Sequence, residues 1–213
     1  MSQEFQPSEA FTRSFESLLR WRRDVRHFKT EAIDDATLEE LIIQASLAPS
    51  VGNSQPWRFL LIEKPETRQS VLENFRATNA EAAKLYTGER KEKYLELKLA
   101  GLVEAPVHLA VFADMATQTG KGLGRQTMPE TLLYSTVCAI HTLWLAARAR
   151  GLGLGWVSIL DTPSLVKSLY VPQSWQFVAY LCLGFPAETH EDPELERRGW
   201  ETRKAPLTNL FRR

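Results

Sequence analysis

Between Thr131 and Ala147 the chain runs without one charged residue, and its apolar side chains recur nearly all round a helical projection. A helix of that kind offers no broad face to water and has to be covered. The stretch is shorter than the roughly 18 apolar residues of a membrane span, and His141, Ser135 and three threonines interrupt it. It therefore reads as a central helix, from about Glu130 to Arg150, lying under a sheet and against another helix or a second subunit. The rest of the fold has to be built around it.

Four apolar runs read as strands: Trp57 to Glu63, Val107 to Ala113, Leu154 to Leu160 and Phe177 to Phe185. Phe15, Leu18, Leu19 and Trp21 recur at helical spacing between Ser14 and Arg23. Thr37, Leu38, Glu39 and Glu40 form a capping box that opens a helix ending before Pro49. Glu66 to Gly101 reads as two charged helices broken near Thr87 and Gly88, and Ser164 to Tyr170 as a short one. Pro49 to Pro56 and Lys121 to Pro129 are loops. Two or more helices fall between several strands, which excludes strict β–α alternation and predicts an α+β layer fold, with a central, mostly antiparallel sheet flanked by helices. Residues 1–213 read as one domain, with residues 1–13 flexible. The tail, residues 187–213, is polar but carries Trp200, Leu207, Leu210 and Phe211, which need a surface to wrap.

Lys plus Arg and Asp plus Glu both number 26, so the zero net charge argues against nucleic acid and anionic membrane surfaces as partners. Cys138 and Cys182 sit in apolar runs without a C-x-x-C partner, which predicts buried thiols in a reducing cytoplasm. The N-terminus has no apolar core of a secretory signal. None of the four histidines has a neighbour at metal-ligand spacing, so no metal is expected.

Two segments carry chemistry. Arg22, Arg23 and Arg26 place three permanent cations within five residues, suited to phosphate or carboxylate oxygens, or else simply a solvated basic helix end. The loop Pro49-Ser50-Val51-Gly52-Asn53-Ser54-Gln55-Pro56 combines stiffening prolines with amide and hydroxyl groups that can read the edge of a heterocycle. Gly151, Gly153 and Gly155 follow a helix and lead into a strand, the reverse of a phosphate-cradling order, so a dinucleotide site is rejected. These glycines instead cap the helix and allow a flat ring to approach Gly155, Trp156 and Val157. Ser158 then either meets the ring edge or is an ordinary strand serine.

With these residues in hand, the chain resembles the nitroreductase-like FMN superfamily, through Arg22-Arg23-x-x-Arg26, Pro49-Ser50-x-x-Asn53-x-Gln55-Pro56-Trp57 and the glycines before Trp156. Within it the chain is most similar to the BluB-type 5,6-dimethylbenzimidazole synthases, through Arg22-Arg23-Asp24-Val25-Arg26, Gly155-Trp156-Val157-Ser158-Ile159, Leu181-Cys182-Leu183-Gly184-Phe185 and Asp192-Pro193-Glu194-Leu195. The resemblance implies a homodimer with swapped tails and with two FMN sites, each taking the arginine segment from one subunit and the Ser50 loop from the other. It further implies that reduced FMN, supplied by a separate flavin reductase, is itself the substrate. O₂ is the co-substrate, and fragmentation yields dimethylbenzimidazole, the lower ligand of cobalamin.

By the same resemblance Arg22, Arg26 and Arg203 hold the phosphate or ribityl end, with Arg23 and Val25 in the same site. Ser50, Asn53 and Gln55 face the flavin from the partner. Asp24 separates the synthases from ordinary nitroreductases, which resemble each other in a small hydroxyl residue there. As the group able to move protons it is the expected catalytic residue, with Ser158 orienting the ring. The alternatives are an NAD(P)H-dependent nitroreductase or flavin oxidoreductase, and a non-catalytic flavin carrier.

Overall fold

In the computed structural model, which describes residues 5–97 and 100–212, the elements follow as α1 (Glu9–Trp21), α2 (Asp35–Ala45), β1 (Trp57–Leu61), α3 (Pro65–Ala83), α4 (Gly88–Glu96), α5 (Gly101–Glu104), β2 (Val107–Asp114), α6 (Thr131–Ala149), β3 (Gly153–Val157), α7 (Thr162–Ser168), β4 (Trp175–Gly184) and α8 (Glu194–Arg197). The strands form one sheet in the order β1-β2-β4-β3, and all three ladders are antiparallel. This is the expected α+β arrangement.

Alternation along β2 divides the core in two, because successive strand side chains point to opposite faces. Val107, Leu109 and Val111 join Leu41, Ile140, Leu143, Leu154 and Leu181 under α2 and α6. Ala110 and Phe112 join Phe28, Val71, Phe75, Tyr180 and Cys182 on the other face. His108 is buried among the latter, its Nδ1 2.9 Å from the Tyr180 hydroxyl. Burial, reinforced by the nearby Arg68 cation, pulls its pKa down to about 4.

Several boundaries differ from expectation. The first helix starts at Glu9, inside the stretch expected to be flexible, because the Ser8 hydroxyl accepts the Phe11 N–H and caps it. The second is capped by Asp34, whose carboxylate accepts both the N–H and the hydroxyl of Thr37; Thr37 is thus the cap's donor rather than the cap. The third strand ends at Val157, where its pairing with Tyr180 ends, and the chain turns towards Asp161, the cap of α7.

The central helix is not covered all round. Tyr134, Val137, Cys138 and His141 lie on one exposed stripe of α6. Cys138 is therefore exposed, against the expectation of two buried thiols; Cys182 is buried in β4. Phe11, Phe15, Leu19 and Trp21 leave a second apolar surface on α1.

Candidate functional site

The arginine segment begins where α1 ends. Arg22 closes the helix by donating its N–H to the Leu18 carbonyl, then takes an extended backbone conformation. The chain next runs along β3, an edge strand of the sheet. Asp24 bridges Leu154 in parallel, and Val25 donates its N–H to the Leu154 carbonyl at 3.1 Å. Two residues further along β3, the partner is a side chain: Asp24 Oδ1 accepts the Trp156 N–H at 2.9 Å. The carboxylate thus satisfies a backbone donor that an edge strand would otherwise present unpaired.

The glycines of β3 make this approach possible. A Cβ on Gly155 would collide with the Val25 carbonyl, and one on Gly153 would lie 2.5 Å from Val25 Cγ2. The expectation that Gly155 admits a flat ring is corrected on this side of the strand, since the arginine segment fills the space. Val157 is buried and pairs with Tyr180, while Ser158 is exposed just beyond the strand.

Around Asp24 the charges are unevenly matched. Arg26 Nε lies 3.4 Å from Asp24 Oδ2 and 3.4 Å from Glu194 Oε2. Its Nη1 and Nη2 make no hydrogen bond among the described residues. Arg22 lies over the Trp144 ring, 4.8 Å from its centroid, and the Trp144 Nε1–H donates to the Arg23 carbonyl at 3.2 Å. Arg23 donates to the carbonyls of Glu191 and Arg22. Arg203, exposed in the tail, comes close enough to act electrostatically on both Arg22 and Arg23. Burial first, and the Arg203 cation second, holds each of those two guanidinium groups below its ordinary pKa. Three cations that repel one another form a ready receptor for a phosphate dianion.

Asp24 has 35% of its side chain accessible but lies deep in the cleft. Burial pushes its pKa up; the Trp156 N–H and Arg26 oppose the rise, and the Glu194 charge adds to it. The cleft beside it encloses about 40 Å³. That is room for water and far below the roughly 300–1,000 Å³ of small-molecule pockets.

The Ser50 loop stands elsewhere. Val51 to Asn53 form a 3₁₀ turn, with Asn53 at φ +54° and Gln55 at φ +46°, backbone conformations uncommon for residues with a Cβ. Ser50 Oγ accepts the Gln55 N–H at 3.1 Å, and Ser135 Oγ of α6 accepts the Val51 N–H at 3.0 Å. The Gly120 to Leu123 backbone braces the loop, passing so close to Gly52 that a Cβ there would lie 2.8 Å from the Leu123 carbonyl oxygen. Ser54 Oγ is buried without a partner among the described residues. No residue of the loop lines the Asp24 cleft. The attachment points on α6, Ser135 and Trp144, are nine residues and two and a half turns apart, hence about 13 Å along the axis and on opposite sides of the helix.

Sequence reasoning missed Glu194 and Trp144 as members of this site, although each carries a signal. Glu194 belongs to the Asp192-Pro193-Glu194-Leu195 run, and Trp144 stands where the apolar helix passes Arg22.

The fold agrees with what the chain is similar to. The Nitroreductase family matches residues 19–185, and the chain belongs to that family. It is 55% identical over 200 residues to a 5,6-dimethylbenzimidazole synthase of Rhodospirillum rubrum, covering 94% of each chain. It is 50% identical to a protein of the same name from Rhodobacter capsulatus, over 86% of this chain and 89% of that one. Among solved structures it matches an oxidized iodotyrosine deiodinase bound to FMN and 3-iodo-L-tyrosine with a TM-score of 0.68, 27% identity, and 82% and 91% coverage. Among the described residues, no helix is long and apolar enough to cross a membrane.

Proposed function

We propose that this chain is a 5,6-dimethylbenzimidazole synthase, which consumes reduced FMN and O₂ and releases the benzimidazole that serves as lower ligand of cobalamin. The observation that carries the reading is Asp24: a half-buried carboxylate whose pKa burial pushes up, set among arginines that suit a phosphate, in a chain 55% identical to a synthase.

The residues fit FMN. Arg22, Arg23 and Arg203 suit the phosphate, and the two terminal nitrogens of Arg26 are available to it or to the ribityl hydroxyls. Val157 and Ser158 end β3 beside the segment that carries Asp24. The flavin, when bound in its reduced form, supplies the electrons that activate O₂ and the carbon skeleton that is cut. Asp24 holds or takes up the proton at Oδ2, whose contact with Arg26 Nε is long at 3.4 Å, while Oδ1 remains tied to the Trp156 N–H. Ser158 offers a hydroxyl to the ring edge.

The second half of the site comes from a partner copy. The small cleft beside Asp24 and the position of the Ser50 loop on the far side of α6 both favour a homodimer in which Ser50, Asn53 and Gln55 of one subunit close over Asp24 of the other. The exposed stripe of α6, the apolar face of α1 and the tail residues Leu207, Leu210 and Phe211 offer the surface for it. In this arrangement residues 187–213 wrap the partner, the protein works in the cytoplasm, and a separate reductase supplies reduced FMN.

The test is aerobic incubation of the protein with chemically reduced FMN, followed by mass spectrometry. Dimethylbenzimidazole is the expected product. Intact flavin from protein that binds FMN tightly would refute the reading, and steady NAD(P)H oxidation with an added acceptor would instead mark a nitroreductase. Asp24→Asn is expected to bind reduced FMN while losing product formation by at least about a hundredfold, the lower range for general acid–base groups. Product at the wild-type rate would remove Asp24 from the chemistry.

A further inference from the structure

We propose that Glu194, carried on the strap that follows β4, is a positioning residue for Asp24: as a second carboxylate beside the Arg26 guanidinium it keeps the Asp24 carboxyl from being locked as a salt-bridged anion. The inference rests on the synthase reading for its chemical purpose, and on geometry for its existence.

The strap is fixed at both ends, so Glu194 is held in place. The Ala187 N–H donates to the His27 carbonyl at 3.0 Å, and Arg23 Nε donates to the Glu191 carbonyl at 2.6 Å. Beyond α8, Trp200 packs edge-on against Tyr86, with its centroid 5.0 Å from the Arg90 guanidinium. Glu194 itself is 14% exposed, and its other oxygen lies 3.6 Å from Arg198 Nε. The inward side of α8 thus carries a carboxylate towards a guanidinium that already has one.

The Arg26 Nε–H donates to Asp24 Oδ2, and Glu194 Oε2 lies at the same 3.4 Å from that nitrogen as an ion-pair partner. At that length neither contact is a strong charge-assisted bond, and the one cation is divided electrostatically between two carboxylates. Asp24 is left with a weakened cation and a neighbouring anion, both of which favour its protonated form. The other charged or titratable groups that face Asp24 are Arg22, Arg23 and His27 from its own segment, Arg148 from α6, Cys182 from β4, and Glu188, His190, Asp192 and Arg197 from the strap. Glu194 alone among them shares a guanidinium nitrogen with Asp24.

The two carboxylate oxygens are at most about 7 Å apart, so removing the Glu194 charge lowers the Asp24 midpoint, by at least about 0.4 pH units even with water-like screening. Partial exposure of Asp24 keeps the shift modest. Tighter pairing of Arg26 with Asp24 in the variant acts in the same direction.

The measurement is carboxyl ¹³C NMR of the full-length protein without flavin, titrated with acid, the Asp24 resonance being assigned by its loss in Asp24→Asn. Glu194→Gln is expected to move the Asp24 midpoint down, and Glu194→Asp, which keeps the charge, to restore most of the difference. With reduced FMN and O₂, the pH limb of dimethylbenzimidazole formation is expected to move down by the same amount in Glu194→Gln. An unmoved or raised midpoint in folded Glu194→Gln overturns the proposal, as does a Glu194→Asp variant that behaves like the glutamine variant. If the midpoint moves but the wild type makes no dimethylbenzimidazole, the synthase reading fails and the competition for Arg26 stands. If product forms while neither midpoint nor limb moves, the competition fails and the synthase reading stands.

Discussion

Gly155→Ala puts a methyl group where the Val25 carbonyl oxygen stands, and the conflict is backbone against backbone. No rotamer relieves it, so the arginine segment has to move off the edge of β3. Two hydrogen bonds go with it, Val25 N–H to the Leu154 carbonyl and Trp156 N–H to Asp24. At roughly 1 kcal/mol net each, plus about 1–3 kcal/mol for overpacking, the loss comes to about 3–5 kcal/mol. Gly153→Ala differs in kind, because its nearest neighbour is the tip of the Val25 side chain at 2.5 Å, with Pro186 at 3.0 Å. Urea unfolding of the two variants, each alone and combined with Val25→Ala, separates the cases. Shortening Val25 is expected to recover at least about 1 kcal/mol in Gly153→Ala and nothing in Gly155→Ala, a non-additivity typical of touching side chains. A Gly155→Ala protein within about 0.5 kcal/mol of wild type, or one rescued by Val25→Ala, would refute the claim that the Val25 backbone imposes this glycine.

Acid sensitivity should come in part from His108. Its pKa is depressed to about 4 from an ordinary 6.5, so the folded state refuses a proton that the unfolded chain accepts; the stabilisation is whole above 6.5 and is lost as pH falls through 4. The loss amounts to about 3 kcal/mol, and the difference between wild type and His108→Gln in urea unfolding at successive pH values should show it. Arg203→Ala should weaken binding of FMN, and of inorganic phosphate, by roughly tenfold, the range for losing one charge-assisted hydrogen bond, and should leave riboflavin binding unchanged; calorimetry with the three ligands checks this.

Much of the architecture was legible because it follows from local rules. The uncharged run of α6 and the apolar runs of the four strands fixed which segments lie at the centre, and helices crowded between strands fixed the α+β class. Helix starts were less legible, since Ser8 and Asp34 cap through side chains that look no different from other polar residues in the sequence. Although no residue of the Ser50 loop lines the Asp24 cleft, that loop and the arginine segment were both visible as unusual chemistry. Glu194 was not, because its meaning depends on a turn after β4 that returns the chain to Arg26, far away in sequence. The glycines of β3 were recognised as a close approach, but the neighbour on their Cβ side was not: sequence shows that a Cβ is missing, while only the fold shows that Val25 occupies its place.

The bond between Asp24 and the Trp156 N–H separates two demands on a single position. To close the edge of β3, the side chain at 24 has to accept a hydrogen bond, and its charge is incidental. To move a proton, it has to titrate. An amide in that place meets the first demand and fails the second. Architecture and titration can therefore be inherited separately here: exchanging one acceptor for another at this position can remove a titratable group from the cleft while the sheet edge and the arginines stay as they were.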